Sequence, residues 1–338
     1  MAKAGLVNEK LNVLVTGGAG YIGSHAVLAL RDAGHTPIVI DNLVTGFRWA
    51  VPDDVEFFEG DIADSATVTK ILIDSQIDAV MHFAGSVVVP ESVENPLKYY
   101  DNNTARTRSL LESIISAGIR HMIFSSTAAT YGIPKESPVR EDMPTVPINP
   151  YGTSKLMTEL MLRDIALAHD FNYCALRYFN VAGADPEGRT GQSTVGATHL
   201  IKIAVEAALG KRESVSVFGI DYATEDGTGV RDYIHVSDLA AAHVIALEAL
   251  VADSATSHTL NCGYGHGYSV FEVLDSVDRV TNNKLVRQIE GRRAGDPDAL
   301  ISDNRAIVSR LGWQPQHDDL DKIVRDALAW ERQLSNRN

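Results

Sequence analysis

The chain has 338 residues, of which 45% are hydrophobic and 22% charged, a composition typical of a soluble globular enzyme with one or two domains. Its net charge of −14 argues against nucleic acid or an anionic membrane as a partner, and no apolar run approaches the roughly 20 residues of a membrane span. The N-terminal residues contain no hydrophobic signal region, so we expect a cytoplasmic protein.

The first predicted unit is a strand at residues 11–16, a glycine turn at 17–23, a helix at 24–33 and a strand at 36–40 that ends at Asp41. This order predicts a dinucleotide-binding unit, because the glycines let the backbone approach a pyrophosphate and the helix N-terminus offers free N–H groups. Asp41 can accept the ribose hydroxyls and repel a 2′-phosphate, which favours NAD over NADP. A turn that serves only tight packing is the alternative, and the strand, helix and Asp41 together disfavour it.

Strands and helices then alternate, which predicts an α/β fold with a doubly wound parallel sheet. The strands are predicted at residues 55–58, 79–83, 122–124 and 173–178, and the helices at 65–74, 97–118 and 150–170. Asp61 either reaches the adenine or caps the helix that begins at Ser65. The strand at 122–124 leads into Ser125-Ser-Thr127, whose hydroxyls would face the crevice where such sheets bind ligands.

A helix is predicted to start in the segment Asn149-Pro-Tyr-Gly-Thr-Ser-Lys155, which also contains a candidate general base. Pro150 fits the first helical turn, and Tyr151 and Lys155 then leave the same face of the helix. A cation about 4 Å from a phenol supplies up to roughly 4 kcal/mol, enough to bring the phenol pKa from about 10 to about 7. Taken alone, the pair is more simply explained as neighbours on an amphipathic helix.

The second half changes composition after Ala182. Helices are predicted at residues 199–209, 237–250, 270–281 and 320–334, and strands at 214–219, 259–262 and 285–289. Without a long linker, the two domains are expected to interleave. Residues 1–182, joined by 233–262, would form a Rossmann-like NAD-binding domain, and 183–338 would mainly form a smaller C-terminal substrate domain. Cys174 and Cys262 are expected to be reduced core residues, and His199 and His235 lack neighbours at ligand spacing, so no metal site is predicted.

Several motifs occur together in the order found in a known family. Besides the glycine turn, the Ser-Ser-Thr strand end and the Tyr151-x-x-x-Lys155 pair, they are Val80-Met-His-Phe-Ala-Gly85, Tyr99-Tyr-Asp-Asn-Asn103, Arg177-Tyr-Phe-Asn180, the block 224–235 and Arg293-Ala-Gly-Asp296. With them, residues 11–331 resemble the extended short-chain dehydrogenase/reductase family. The block 224–235 favours those members that invert C4 of a UDP-hexose.

The resemblance implies NAD-dependent interconversion of UDP-glucose and UDP-galactose through a 4-keto sugar. Tyr151 would be the base for the 4-hydroxyl, Lys155 would lower its pKa and bind the nicotinamide ribose, and Thr127 would bond the same sugar oxygen. NAD contacts would come from Gly17, Gly20, Tyr21, Ile22, Gly23, Asp41, Asn42, Asp61, Ile62, Phe83, Ala84, Gly85, Asn102, Lys155 and Phe179. UDP-sugar contacts would come from Thr127, Tyr151, Asn180, His199, Leu200, Phe218, Arg231, Arg293 and Asp296.

The resemblance also implies a homodimer, in which helices 97–118 and 150–170 of two copies form a four-helix bundle. Both helices carry apolar residues on more than one face, and one face can pack on the sheet.

Three positions depart from the pattern of the family. Val87 stands where some members carry a Lys near the substrate phosphate or nicotinamide, and His199 replaces an Asn that contacts substrate in some members. Leu300 falls where a small residue is associated with accepting N-acetylated sugars and a Tyr with excluding them. A 4-epimerase of a UDP-N-acetylhexosamine or a UDP-pentose is therefore an alternative.

Two further alternatives are a nucleotide-sugar 4,6-dehydratase and a non-catalytic NAD-binding module. The dehydratase is disfavoured because Ala128 and Ala129 stand where that chemistry places Asp-Glu. The binding module is disfavoured because it has no use for Tyr151, Lys155 and Thr127 together.

Overall fold

A parallel sheet of seven strands forms the centre of the molecule. The computed structural model describes residues 10–293 and 295–336. Its strands are β1 (Asn12–Thr16), β2 (Thr36–Asp41), β3 (Glu56–Glu59), β4 (Ala79–His82), β5 (His121–Thr127), β6 (Asn172–Tyr178), β7 (Asn180–Ala182), β8 (Val215–Phe218), β9 (Val230–Arg231), β10 (Tyr233–His235), β11 (His258–Cys262), β12 (Tyr268–Ser269), β13 (Arg287–Glu290) and β14 (Ala299–Leu300). The central sheet has the order β11-β6-β5-β4-β1-β2-β3. Because the order reverses at β1, a crevice opens at the carboxyl ends of β1 and β4.

Helices cover both faces of this sheet. They are α1 (Tyr21–Asp32), α2 (Ser65–Asp74), α3 (Val89–Glu94), α4 (Pro96–Tyr99), α5 (Arg106–Ser116), α6 (Pro150–Ala168), α7 (Leu200–Ala208), α8 (Val236–Ala252), α9 (Val270–Thr281), α10 (Arg305–Leu311) and α11 (Leu320–Ser335). Successive strand residues point to opposite faces, so Val13 and Val15 pack in a cluster with α1 and α8, whereas Leu14 packs in another with α2 and α5. The predicted doubly wound α/β fold is confirmed.

Three small sheets lie beside the central one. Strand β10 pairs with β7, β9 lies between β12 and β14, and β13 pairs with β8. Strand β11 lies at the edge of the central sheet, parallel to β6. Cys174 and Cys262 are free and buried on these two neighbouring strands. Within residues 10–293 and 295–336, no helix is both long enough and apolar enough to cross a bilayer.

The predicted helix 97–118 is interrupted. A π-helical stretch, Tyr100–Ala105, separates α4 from α5. Asn102 and Asn103 lie in this stretch, and their side chains bond Ser86 rather than solvent. The widened turn therefore presents two amides to the loop after β4, which is where the crevice opens.

Candidate active site

The glycine turn between β1 and α1 is closed by its own backbone. Gly20 N–H donates to the Gly17 carbonyl at 3.1 Å, and α1 begins at the next residue. Gly17 has φ +71°, and a Cβ there would lie 2.6 Å from the Ala84 nitrogen. A Cβ at Gly23 would lie 2.1 Å from the Gly17 carbonyl oxygen. The turn therefore serves tight packing and also leaves the N-terminus of α1 facing the crevice, as a pyrophosphate requires.

Asp41 ends β2 beside this turn. Its carboxylate accepts the N–H groups of Ala19 at 2.9 Å and Leu43 at 2.8 Å, and burial raises its pKa. These bonds fix the carboxylate at the edge of the glycine turn, where an adenosine ribose would lie. The neighbouring Asn42 is exposed.

Asp61 does not cap α2, because the cap is Asp64, which accepts the Thr67 N–H at 3.1 Å. The capping alternative for Asp61 is therefore wrong. Asp61 instead accepts the Ala63 N–H at 2.9 Å and forms an ion pair with Arg106, while Ile62 beside it is buried.

The residues after β4 join the glycine turn to the catalytic candidates. The Phe83 ring centroid lies 4.8 Å from that of His243. Ala84 contacts the backbone at Gly17, and a Cβ at Gly85 would lie 3.7 Å from Lys155 Nζ. Phe83, Ala84 and Gly85 thus form one wall that runs from the phosphate turn to Lys155.

Helix α6 places Tyr151 and Lys155 on this wall. Asn149 caps the helix by accepting the Gly152 N–H at 2.8 Å. A Cβ at Gly152 would lie 2.5 Å from the Ala129 carbonyl oxygen, so a glycine there lets α6 approach the turn that follows Thr127. The Thr127 side chain lies beside the Tyr151 hydroxyl, and Lys155 Nζ donates to the Ser125 carbonyl at 2.9 Å. The three predicted catalytic residues therefore meet in one place.

Burial dominates the protonation of this group. It raises the pKa of Tyr151, against a smaller lowering by the Thr127 hydrogen bond, and lowers the pKa of Lys155 to about 8. In the polypeptide itself the loss of water around the phenolate is the larger effect on the Tyr151 pKa, and the expected lowering of this pKa by Lys155 stays a prediction. A further positive charge in the crevice is needed to bring the phenol toward neutrality.

Four of the predicted substrate residues form two adjoining pairs. The Arg231 Nη1 donates to the carbonyls of Val230 and Pro297, both at 2.9 Å, and its Nη2 lies 3.7 Å from Asp296 Oδ1. The Arg293 guanidinium lies 3.7 Å from the centroid of the Phe218 ring. The two pairs meet at Asp296, whose N–H donates to the Arg293 carbonyl at 3.3 Å, and two neighbouring cations are an arrangement suited to a diphosphate.

Leu300 and Phe179 lie between Arg231 and the turn that follows Thr127. Leu300 pairs with Arg231 across the β14–β9 ladder, and both apolar side chains pack on the cluster of Ala128, Tyr131 and Val139. Asn180 begins β7, and its N–H donates to the Asp232 carbonyl at 3.0 Å.

His199 and Leu200 stand at the start of α7, further along the chain. His199 Nδ1 lies 3.5 Å from Gln192 Nε2, and His199 lines a small cavity together with Tyr21. The Tyr21 hydroxyl donates to the Gly183 carbonyl at 2.7 Å, so its side chain is occupied within the protein, and Tyr21 and Ile22 are the first two residues of α1. In the described part of the chain, no group of three or more His, Cys, Asp or Glu side chains is placed to hold a metal ion.

Residues 13–263 match the sequence model of the NAD dependent epimerase/dehydratase family. The chain belongs to this family. The predicted family resemblance and the predicted NAD cofactor are thereby confirmed.

Individual relatives are similar to this chain over nearly its whole length. A UDP-glucose 4-epimerase of Azospirillum brasilense is 56% identical over 322 residues, which are 95% of this chain and 92% of that protein. The crystal structure of a UDP-glucose 4-epimerase from Brucella ovis in complex with NAD is similar with a TM-score of 0.92 and 45% identity, covering 94% of this chain and 98% of that one. A Stenotrophomonas maltophila UDP-glucose-4-epimerase with bound NAD and formylated UDP-arabinopyranose is similar with a TM-score of 0.94 and 38% identity, covering 97% of this chain and 100% of that one.

In this epimerase/dehydratase chain, two residues next to Tyr151 and Lys155 were given no role from the sequence. Asn103 is buried, accepts the Ser86 N–H at 2.7 Å and donates to Ser154 Oγ at 3.0 Å, so it ties the loop after β4 to α6. Tyr99 packs edge-on against Tyr151 with ring centroids 6.4 Å apart. Adjacent asparagines in a helix, in a protein with a dinucleotide turn, were the available signal for Asn103. Val87, in contrast, is exposed.

Proposed function

We propose that this protein is a UDP-glucose 4-epimerase, which interconverts UDP-glucose and UDP-galactose with NAD. The observation that carries the proposal is the meeting of Tyr151, Lys155 and Thr127 at the wall after β4. The wall joins them to the glycine turn, and Leu300, which pairs with Arg231, packs on the turn that follows Thr127. The curated relatives and solved structures named above are enzymes of this activity.

Each side chain of the site has its own role in the reaction. NAD, when bound, supplies a group that can accept a hydride from C4 of the hexose and return it. In its oxidised form this group also carries a positive charge. Tyr151 removes the proton of the 4-hydroxyl and later returns it, and Thr127 hydrogen-bonds the same oxygen. Lys155, fixed on the Ser125 carbonyl, binds the nicotinamide ribose and opposes proton uptake by the phenolate. Because the proton and hydride both return, the net redox change is zero.

The cofactor contacts proposed for the chain follow the crevice from the adenosine end to Lys155. They are Gly17, Gly20, Tyr21, Ile22, Gly23, Asp41, Asn42, Asp61, Ile62, Phe83, Ala84, Gly85, Asn102, Lys155 and Phe179. Gly17 and Gly23 leave no space for a Cβ, which supports a close backbone cradle. Asp41 lies at the end of β2, which supports NAD over NADP.

The UDP-sugar must be gripped by its nucleotide while the hexose turns, since the hydride returns to the other face of C4. Arg231 and Arg293 would hold the diphosphate, with Asn180, His199, Leu200, Phe218 and Asp296 completing the site. Leu300 lies beside Arg231 and shares a cluster with Phe179, so its size would limit the sugar pocket. Because leucine is intermediate in size between a small residue and a tyrosine, a 4-epimerase of N-acetylated or pentose UDP-sugars is the second candidate.

Turnover of defined substrates tests the proposal. We expect purified protein to contain NAD and to epimerise UDP-galactose in preference to UDP-GalNAc and UDP-xylose, with products identified by chromatography. Tyr151→Phe should lower kcat by about 100-fold to 10,000-fold, the range for loss of a general base, with an unchanged melting temperature. Wild-type turnover in that variant would contradict the role of Tyr151, and no turnover on any UDP-sugar would contradict the function.

The wider organisation completes the proposal. We propose residues 1–182 with 233–262 as the NAD-binding domain and 183–338 as mainly the substrate domain, of which residues 1–9, 294 and 337–338 lie outside the described part of the chain. The pairing of β11 with β6 supports this division. The active form is a cytoplasmic homodimer. Leu97, Met157 and Leu160 support it, because they are 76%, 41% and 42% exposed on the neighbouring helices α4 and α6.

A further inference from the structure

A buried network lies directly behind the strand end that carries Thr127. Glu159 follows Lys155 by one helical turn on α6, and its Oε1 accepts a hydrogen bond from Ser126 Oγ at 2.5 Å. The same carboxylate binds Arg177 of β6 at two points, with Nη2 2.6 Å from Oε2 and Nε 2.9 Å from Oε1. The Glu159 and Arg177 side chains are each 7% exposed, so this bidentate ion pair is shielded from water.

The network continues to the far side of Thr127. Arg177 Nη1 donates to the Tyr131 hydroxyl at 3.0 Å, and that hydroxyl donates to Asn261 Oδ1 at 2.7 Å. Tyr131 ends the 3-10 turn Ala128–Tyr131, which begins immediately after Thr127. The ion pair therefore reaches the residue before Thr127 through Ser126 and the turn after it through Tyr131.

We propose that Glu159 and Arg177 are positioning residues for the reaction, which hold the end of β5 so that the Ser125 carbonyl meets Lys155 and the Thr127 hydroxyl meets Tyr151. The inference rests on the proposed epimerase function. Stability alone explains the pair poorly, because a buried ion pair stabilises a fold no better than apolar side chains of similar volume. Geometry explains it well, because a shift of about 1 Å at a catalytic group lowers a rate about 100-fold.

Two variants separate positioning from stability. The double variant Glu159→Met with Arg177→Met replaces the pair by apolar groups that can fold but cannot bond Ser126 or Tyr131. We expect its melting temperature to stay near that of the wild type while kcat with UDP-galactose falls about 100-fold and KM changes by less than about twofold. Ser126→Ala removes a single hydroxyl, so it will fold even if the double variant does not, and its kcat should fall about tenfold.

The chain offers a matched control for the serine variant. Ser276 on α9 is also fully buried, and its Oγ donates to Asp321 at 2.6 Å, which in turn pairs with Arg279 at 2.7 Å. Ser276→Ala likewise removes a bond from a serine hydroxyl to a carboxylate, in helices that carry none of the proposed site residues, so it should leave kcat unchanged.

The outcomes are distinct. Wild-type kcat in a folded double variant, or in Ser126→Ala, overturns the positioning role and leaves the epimerase function standing. An equal loss of kcat in Ser276→Ala and Ser126→Ala also overturns it, because the effect would then be general. Absence of wild-type turnover on every UDP-sugar overturns the function and this inference together.

Discussion

Lys155 occupies the least favourable environment of the proposed catalytic residues. Its side chain is 3% exposed, and burial lowers its pKa from 10.5 to about 8. This difference corresponds to about 3 kcal/mol against the charged form, of which one hydrogen bond to the Ser125 carbonyl returns about 1 kcal/mol. An ammonium group in such a place destabilises the fold, so its presence is explained by function.

Replacing this cation should therefore stabilise the protein. We expect Lys155→Met to raise the free energy of unfolding at pH 7 by roughly 2 kcal/mol while epimerisation is lost. Because the folded-state pKa of Lys155 lies below its unfolded-state value, the unfolded chain binds more protons between about pH 8 and 10.5. Wild-type stability thus rises with pH in this window and the gap between the proteins narrows. Urea unfolding of both proteins from pH 7 to 10 measures this.

A methionine variant that is less stable than the wild type at pH 7 would contradict this account of Lys155. A stability difference that stays constant up to pH 10 would do so as well, because it would show that the ammonium group is not the source of the difference.

The sequence revealed Tyr151, Lys155 and Thr127 because short local patterns carry them, a helical spacing of four and a strand end. The Glu159–Arg177 pair gave no such signal, and the adjacent asparagines pointed to Asn103 without indicating its partners. Their hydrogen bonds join residues 51 and 18 positions apart, on elements whose contact depends on the order of the strands in the sheet. Partners of this kind follow from the tertiary structure and not from local spacing.

At the scale of elements, α6 is the part that the sequence described best. It begins at Pro150 as predicted, because its cap, its proline and its apolar spacing all agree. Several shorter elements were not predicted. Helix α3 has six residues and strands β9, β12 and β14 have two each, which is too short for any periodicity to be visible in the sequence. The π-helical stretch depends on Asn102 and Asn103 meeting Ser86, which is a tertiary contact.

The cap of α6 should matter for catalysis as well as for stability. Asn149→Ala removes the acceptor of the Gly152 N–H and should lower the free energy of unfolding by about 1 kcal/mol. Because Tyr151 lies in the first turn, fraying there displaces the phenol, and we expect kcat to fall several-fold with a smaller change in KM. Thermal unfolding and steady-state kinetics measure both effects.

The control is Asp319, which caps α11 by accepting the Lys322 N–H at 2.5 Å. Asp319→Ala should also lower stability, with kcat unchanged, since α11 carries none of the proposed catalytic residues. Equal kcat values for wild type and Asn149→Ala would show that the start of α6 is held by packing alone.

At the scale of the whole molecule, the two-sided sheet explains why fold class was predictable. Strand residues alternate between two apolar clusters, so the inner strands β1, β2 and β4 are apolar over most of their length, which is the pattern of a parallel sheet covered by helices on both faces. How the second half of the chain forms its small sheets was not predictable, because their partners, such as β8 and β13, are far apart in the sequence.

The exposed side chains Leu97, Met157 and Leu160 form an apolar patch on α4 and α6 that predicts the oligomeric state. An exposed apolar patch favours burial against a partner, and two copies that pack α4–α5 and α6 together would bury it in a four-helix bundle. We expect the wild type to sediment as a dimer at micromolar concentration. The variant with both Met157→Arg and Leu160→Arg should sediment as a monomer, because two buried arginines per subunit would face each other across the twofold axis.

The control is Val286→Arg, which alters a side chain that is 65% exposed outside these helices and should remain dimeric. A dimeric double-arginine variant would place the interface elsewhere, and a monomeric wild type would remove the homodimer from the proposal.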